Sequence, residues 1–213
     1  MHIISGTVNT ITSDVIIKLG QYRHKVFVET LGWPLPVESQ LEFDQFDRSD
    51  TQYLIAFNQN RQIIGTGRLL PCNKPYLLAD VFPELMEGGS IPRGADVWEL
   101  SRFASMDFSG GHTPQAAAQF HSPTSPVLLQ AALDLAAQAG VSRLITVSPL
   151  GIERILRRLG FSACRAAPPR RVGGELLFAC WIDVPKAKPA PNPYALVPSI
   201  DLFRAEVEQR AVF

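Results

Sequence analysis

A chain of 213 residues, 46% hydrophobic and 19% charged, is long enough for one large domain with its own core and too apolar for bulk disorder. Its 20 basic side chains are matched by 20 acidic ones, which argues against a general nucleic-acid binder. Cys72, Cys164 and Cys180 are scattered without a CxxC pair, against a disulfide framework or zinc site, and no apolar run approaches the ~18 residues that cross a bilayer.

The N-terminus lacks a basic stretch followed by an apolar one, so no signal peptide and a cytoplasmic location are expected. Residues 12–31 place Val15, Ile16, Leu19, Tyr22, Val26 and Phe27 near a helical period, with Ser13 or Asp14 as a cap and Gly32 as a stop. Residues 33–51 read as irregular and acidic. A hairpin is predicted from strands at Tyr53–Asn58 and Ile63–Leu70. A breaker over 71–75 leads to a short helix over 76–85, a glycine-rich loop and a strand at Trp98–Ala104. Residues 105–125 show no period and read as a long loop. A helix over 126–139, a strand over 143–147, a helix over 151–159 and an apolar strand over 176–183 complete a domain over 1–184. A Pro-rich linker and a last short helix are expected over 185–213.

This α-β-β-α-β-α-β-α-β order implies an α/β sandwich with a mixed sheet. No GxGxxG follows the first strand, which argues against a dinucleotide fold.

The strand at Trp98–Ala104 carries the chemistry. Glu99, Ser101 and Arg102 interrupt an apolar run, and burying them without partners would cost stability. The first half of the chain offers partners in Arg23, Asp44, Asp47 and Arg68, with Phe27 and Trp33 among them. Alternating carboxylates and guanidiniums can orient a zwitterion, and an aromatic pair suits a sulfonium or another soft cation. The alternative for Asp44 and Asp47 is a turn cap or a pairing with Arg68, and for Arg102 a salt bridge at the sheet edge. The histidines have no nucleophile or metal partner in the pattern, so Ser101 is not read as part of a triad.

Arg23-x3-Phe27, Gly32-Trp33, Glu42-x-Asp44-x2-Asp47, Gly67-Arg68-Leu69, Phe82-Pro83-Glu84-Leu85 and Trp98-Glu99-x-Ser101-Arg102-Phe103 occur in one order that resembles the acyl-homoserine-lactone synthases, the LuxI-type autoinducer synthases. The resemblance is close over residues 20–105. It implies an α/β, GNAT-like three-layer sandwich with a mixed, mostly antiparallel central sheet. It also implies a reaction: S-adenosylmethionine and acyl-acyl carrier protein yield acyl-homoserine lactone and methylthioadenosine. S-adenosylmethionine is then a substrate, and no cofactor or metal is expected.

Arg23, Phe27, Trp33, Asp44, Asp47, Arg68, Glu99 and Arg102 match the family's characteristic set, and the expected site residues fall into groups. Glu99 is the expected base, with Arg102, Asp47 and Ser101 in the same catalytic group. Arg23, Phe27, Trp33, Asp44, Asp47, Arg68 and Phe103 are expected around S-adenosylmethionine, and backbone N–H groups near Phe103 would meet the oxyanion. Leu100, Phe103, Met106, Leu128, Thr146, Ser148, Leu150, Ile152 and Ile155 are candidates for the acyl lining, Thr146 as a hydrogen-bond donor to a β-keto group. Arg154, Arg157 and Arg158 share a helix face that fits an acidic carrier protein. The stretch after Trp98–Ala104 lacks the Q/R-x-x-G-x-G/A phosphate loop of coenzyme-A-dependent relatives. Two rivals remain: an N-acyltransferase using acyl-coenzyme A, and a non-catalytic sensor of S-adenosylmethionine or acyl ligands.

Overall fold

A computed structural model describes residues 1–110 and 122–186. Among the described residues eight strands form one sheet in the order β1-β2-β3-β4-β5-β8-β6, with β7 also paired to β8. They are β1 (His2–Gly6), β2 (Gln52–Phe57), β3 (Ile63–Pro71), β4 (Val97–Ala104), β5 (Arg143–Pro149), β6 (Ala163–Arg165), β7 (Arg170–Val172) and β8 (Glu175–Asp183). Every pairing is antiparallel except β4 with β5. The helices are α1 (Ser13–Arg23), α2 (Leu77–Val81), α3 (Thr124–Gln138) and α4 (Ile152–Arg158).

The two faces of the sheet carry separate cores. On one, Leu128, Leu129, Ala132, Leu133 and Ala136 of α3 pack with Ile152 and Leu156 of α4 against Leu54, Leu69, Leu100, Leu144 and Phe178. These α3 positions repeat at three and four residues, the spacing that keeps one helical face on a sheet. α3 lies close over Gly65 of β3: a Cβ there would stand 3.1 Å from Cδ2 of Leu128. The other face is divided among the clusters around Tyr76 and Ile145, around Leu19 and Ile55, and around Tyr22, Phe27 and Met106.

Several elements depart from the sequence expectation. The first helix does not stay α-helical: α1 passes at Arg23 into a π-helix, His24–Thr30. The helix expected over 76–85 breaks at Phe82 (φ −129°, ψ 39°), and Pro83 then opens a single 3₁₀ turn, Pro83–Met86. Strands β1, β6 and β7 were not expected. They are three to five residues long and owe their existence to partners in β2 and β8. The linker and last helix expected over 185–213 lie outside the described residues from 187 onward. So do residues 111–121 of the expected loop. Among the described residues no helix is long and apolar enough to cross a membrane.

Candidate active site

β4 and β5 build the site by parting. Val97, Trp98 and Glu99 pair in parallel with Arg143, Leu144 and Ile145, and there the pairing ends, although β4 runs on to Ala104 and β5 to Pro149. The diverging segments leave a wedge-shaped cleft at the carboxyl ends of the two parallel strands, where α/β folds commonly bind ligands.

A β-bulge then re-aims one arginine. Thr66 and Arg68 of β3 oppose Ala104 and Ser101 of β4, so β4 holds one extra residue in this interval, and Arg102 takes φ +50°. An inserted residue breaks the alternation of faces. Leu100 and Phe103 pack toward α3, while Arg102 joins Ser101 on the opposite side.

On that side three arginines and three carboxylates interlock. Arg23 donates from Nε to Oε2 of Glu42 at 2.6 Å and from both terminal nitrogens to Asp47 at 2.7 and 3.0 Å. Arg68 forks onto Asp44 at 2.6 and 3.1 Å and donates from Nε to Oγ of Ser101 at 3.0 Å. Arg102 reaches Oε1 of Glu42 at 2.9 Å and Oδ2 of Asp44 at 2.8 Å. The Tyr53 hydroxyl donates to Asp47 at 3.0 Å, and the Asp44 amide donates to its other oxygen at 2.8 Å. Three positive and three negative groups cancel, the condition for keeping such a set out of water. Burial alone would raise the carboxyls of Glu42 and Asp47, but the arginines prevail and hold both below the usual range.

Glu99 stands apart from this lattice. It is fully buried, and its two oxygens accept the amides of Leu77 at 3.0 Å and Leu78 at 2.7 Å, at the start of α2. Burial pushes its carboxyl up to about 7, against the pull of those amides and of Arg68 and Arg102. Beside the lattice, Trp33 stacks on Phe27 with ring centroids 4.9 Å apart, and the Arg102 guanidinium lies 5.6 and 5.8 Å from the two rings. Phe27 is sealed in, whereas Trp33 is 38% exposed and presents an open edge.

The structure thus brings together Arg23, Asp44, Asp47, Arg68, Ser101 and Arg102, with Phe27 and Trp33 alongside and Glu99 at the point where the strands part. Arg23 and Arg68 have no exposed surface, and Ser101 accepts from Arg68, so these three hold the lattice from within. Glu42, 1% exposed and bonded to two arginines, was missed as a site residue. The clue lay in the motif itself, because Glu42 precedes Asp44 by two residues in the same acidic segment. Leu100, Phe103, Leu128, Ile152 and Ile155 gather on the α3–α4 face. Thr146 and Ser148 join them, since they pair with Cys180 and Phe178 of that core. Met106 does not: its N–H and C=O are both bonded to the Tyr22 hydroxyl, and it packs with Val26 and Phe27 on the opposite face. Leu150 does not either; it sits in the turn after β5 at 47% exposure. All three α4 arginines are exposed, but Arg157 is tied to Glu153 at 2.8 Å and to the Ala163 carbonyl at 2.8 Å.

Comparison with known proteins agrees with this geometry. Residues 8–190 match the autoinducer synthase family. An acyl-homoserine-lactone synthase of Acinetobacter nosocomialis is 47% identical over 184 residues, 86% of this chain and all of that protein. Among solved structures, TofI in a ternary complex with an inhibitor and MTA is 40% identical with a TM-score of 0.73, covering 86% of this chain and 92% of TofI. MesI, a CoA-dependent acyl-homoserine lactone synthase, is 26% identical with a TM-score of 0.72, covering 86% and 89%. An N-acetyltransferase from Lactobacillus plantarum at 19% identity and TM-score 0.55, covering 86% and 98%, shares the fold alone. A GNAT-like sandwich with this set of motifs and these relatives leads to one assignment: the chain belongs to the autoinducer synthase family, the acyl-homoserine-lactone synthases.

Proposed function

We propose that the chain transfers an acyl group from acyl-acyl carrier protein to the amine of S-adenosylmethionine, then closes the homoserine lactone and releases methylthioadenosine. The observation that carries this reading is the cleft between β4 and β5. It has a buried carboxylate at its apex, a polar lattice with an aromatic pair on one side and an apolar face under α3 on the other. Acceptor and thioester can therefore approach from opposite faces and meet at Glu99.

Glu99, directly or through one water, takes a proton from the substrate ammonium. Each carboxylate oxygen keeps a second lone pair beside its amide bond, and a carboxyl near neutral suits the exchange. The freed amine attacks the thioester carbonyl; as the tetrahedral intermediate collapses the nitrogen gives up a second proton to the departing thiolate, and the proton held by Glu99 is released to solvent. The methionyl carboxylate then attacks its own γ-carbon as the carbon–sulfur bond breaks, and neutral methylthioadenosine leaves. That step needs placement more than proton transfer. Trp33 and Phe27 meet the sulfonium side of the substrate, and Arg102, Asp44 and Asp47 hold the walls in register.

A carrier-protein donor is supported by exposed Arg154 and Arg158 and by the missing phosphate-loop motif. We place the enzyme in the cytoplasm, where such thioesters are made. The resemblance to CoA-dependent MesI favours coenzyme A as a second donor reading. Mass spectrometry of wild type and Glu99→Gln with S-adenosylmethionine and matched acyl-carrier-protein and acyl-coenzyme A donors tests both. Lactone with equimolar methylthioadenosine from the carrier thioester, lost in Glu99→Gln, is the expected result. Faster turnover of the coenzyme A thioester would replace the donor. Acyl transfer without methylthioadenosine would overturn the reaction.

A further inference from the structure

The carboxyl end of β4 runs out of strand partners. Its pairing with β5 stops at Glu99 and Ile145, and its pairing with β3 stops at Ala104 and Thr66. β3 extends past Thr66 to Ile63, still paired with β2. Met106, two residues beyond the last pair of β4, is 1% exposed, so its backbone groups need partners inside the protein.

One side chain supplies both. The Tyr22 hydroxyl donates to the Met106 carbonyl at 3.0 Å and accepts from the Met106 N–H at 2.9 Å. In an antiparallel ladder a hydrogen-bonded residue exchanges both bonds with the one residue opposite. A hydroxyl, donor and acceptor at once, takes the place of that residue here. Phenylalanine would fill the same apolar cluster of Val26, Phe27 and Ala104, but would leave two buried backbone groups unpaired. Past Met106, Phe108 stands edge-on to Tyr22 with ring centroids 6.0 Å apart, and Nζ of Lys25 lies 4.4 Å from the Phe108 ring.

The place of this clamp gives it a bearing on the chemistry. Tyr22 is followed by Arg23, whose partner Glu42 also holds Arg102 in the bulge of β4. Consecutive residues of α1 therefore hold this chain at two points, Arg102 through Glu42 and Met106 directly. The strip between those points divides the two faces of the cleft. Phe103 packs on the α3 side, whereas Ala104 packs beside Phe27, the ring on which Trp33 stacks.

We propose that Tyr22 is a positioning residue for acyl transfer: by clamping the Met106 backbone it fixes the carboxyl end of β4 between the acceptor and thioester faces. Resting on the acyl-transfer reading, this gives the hydroxyl the task of setting how the bound amine meets the thioester carbonyl. It acts through the β4 backbone and adds nothing to the hold on either substrate alone.

Steady-state kinetics of Tyr22→Phe in the full chain, with S-adenosylmethionine and whichever thioester the wild type turns over, tests the role. kcat is expected to fall about tenfold with both Michaelis constants unchanged, because misplacement slows the meeting of bound reactants without loosening either. Val141→Ala is the stability control, since it opens a cavity in the α3-side core just before β5, at the end of the strands away from the cleft. Both variants should melt below wild type, while Val141→Ala keeps the wild-type kcat. Amide hydrogen exchange over residues 103–108 should quicken in Tyr22→Phe and not in Val141→Ala. Wild-type kcat in Tyr22→Phe, a raised Michaelis constant in place of a lowered kcat, an equal fall in Val141→Ala, or unchanged exchange overturns the proposal. Methylthioadenosine release by wild type reports on the acyl-transfer reading and exchange reports on the clamp, so the two fail separately.

Discussion

Oε1 of Glu42 accepts both Nε and Nη2 of Arg102, at 3.0 and 2.9 Å, across 60 residues of sequence. One carboxylate thereby fastens the irregular N-terminal segment to the bulge in β4. Its other oxygen holds Arg23, so its loss leaves two buried guanidiniums short of a counter-charge. Glu42→Gln should lower unfolding stability by about 3 kcal/mol, in the range for removing one partner of a buried ion pair. Urea denaturation checks this directly. A midpoint within experimental error of wild type would mean that Arg23 and Arg102 find other partners.

The buried carboxyls give opposite pH dependences. Glu42 and Asp47 are held below their ordinary values by arginines. Their stabilisation is therefore complete above the ordinary carboxylate range and lost as pH falls through the lowered folded values. Glu99 is raised to about 7, so its folded form binds a proton more tightly than the unfolded chain. Its contribution is complete below ~4.3 and lost as pH rises through about 7. Relative to wild type, non-titrating Glu99→Gln should gain stability by up to about 3 kcal/mol as pH climbs through that window. Urea midpoints for the two proteins across the range give the difference. A flat difference would place the Glu99 titration elsewhere.

Trp33 tests the acceptor side, since its side chain is 38% exposed and contributes more to a wall than to the core. Trp33→Ala removes the stack on Phe27 and one of the two rings beside Arg102. The Michaelis constant for S-adenosylmethionine should rise by roughly five- to tenfold, with the melting temperature nearly unchanged and partial recovery in Trp33→Phe. A fall in melting temperature matching the loss of affinity would instead mark Trp33 as structural.

Much of the lattice was legible because its members are the wrong residues for their surroundings. A strand that reads Trp98-Glu99-Leu100-Ser101-Arg102 cannot be buried without counter-charges, and the acids at 44 and 47 were the available ones. Glu42 escaped because periodicity says nothing inside an irregular segment. The bulge at Arg102 escaped as well, since a single extra residue leaves no mark on alternation that charged side chains have already broken. Met106 was expected in the acyl lining, whereas a tyrosine hydroxyl from α1 holds its backbone on the opposite face. The three short strands depend on partners far away in sequence. Their own residues carry too little pattern to announce them.

The three arginines on α4 separate into two kinds, and that separation can be tested. Arg157 is bonded to Glu153 and to the Ala163 carbonyl, so it braces α4 against β6. Arg154 and Arg158 are exposed and available to an acidic partner. Reversing both to glutamate should lower kcat/KM for an acyl-carrier-protein donor by roughly tenfold at low salt, through slower association, with little effect on kcat at saturation. The loss should shrink as ionic strength rises, because exposed charges are screened beyond about 10 Å at ~0.1 M salt. A matched acyl-coenzyme A donor, which brings no protein surface, supplies the control. An equal loss with both donors would locate the defect in the cleft rather than at a docking face. No loss with either would move carrier-protein recognition away from α4.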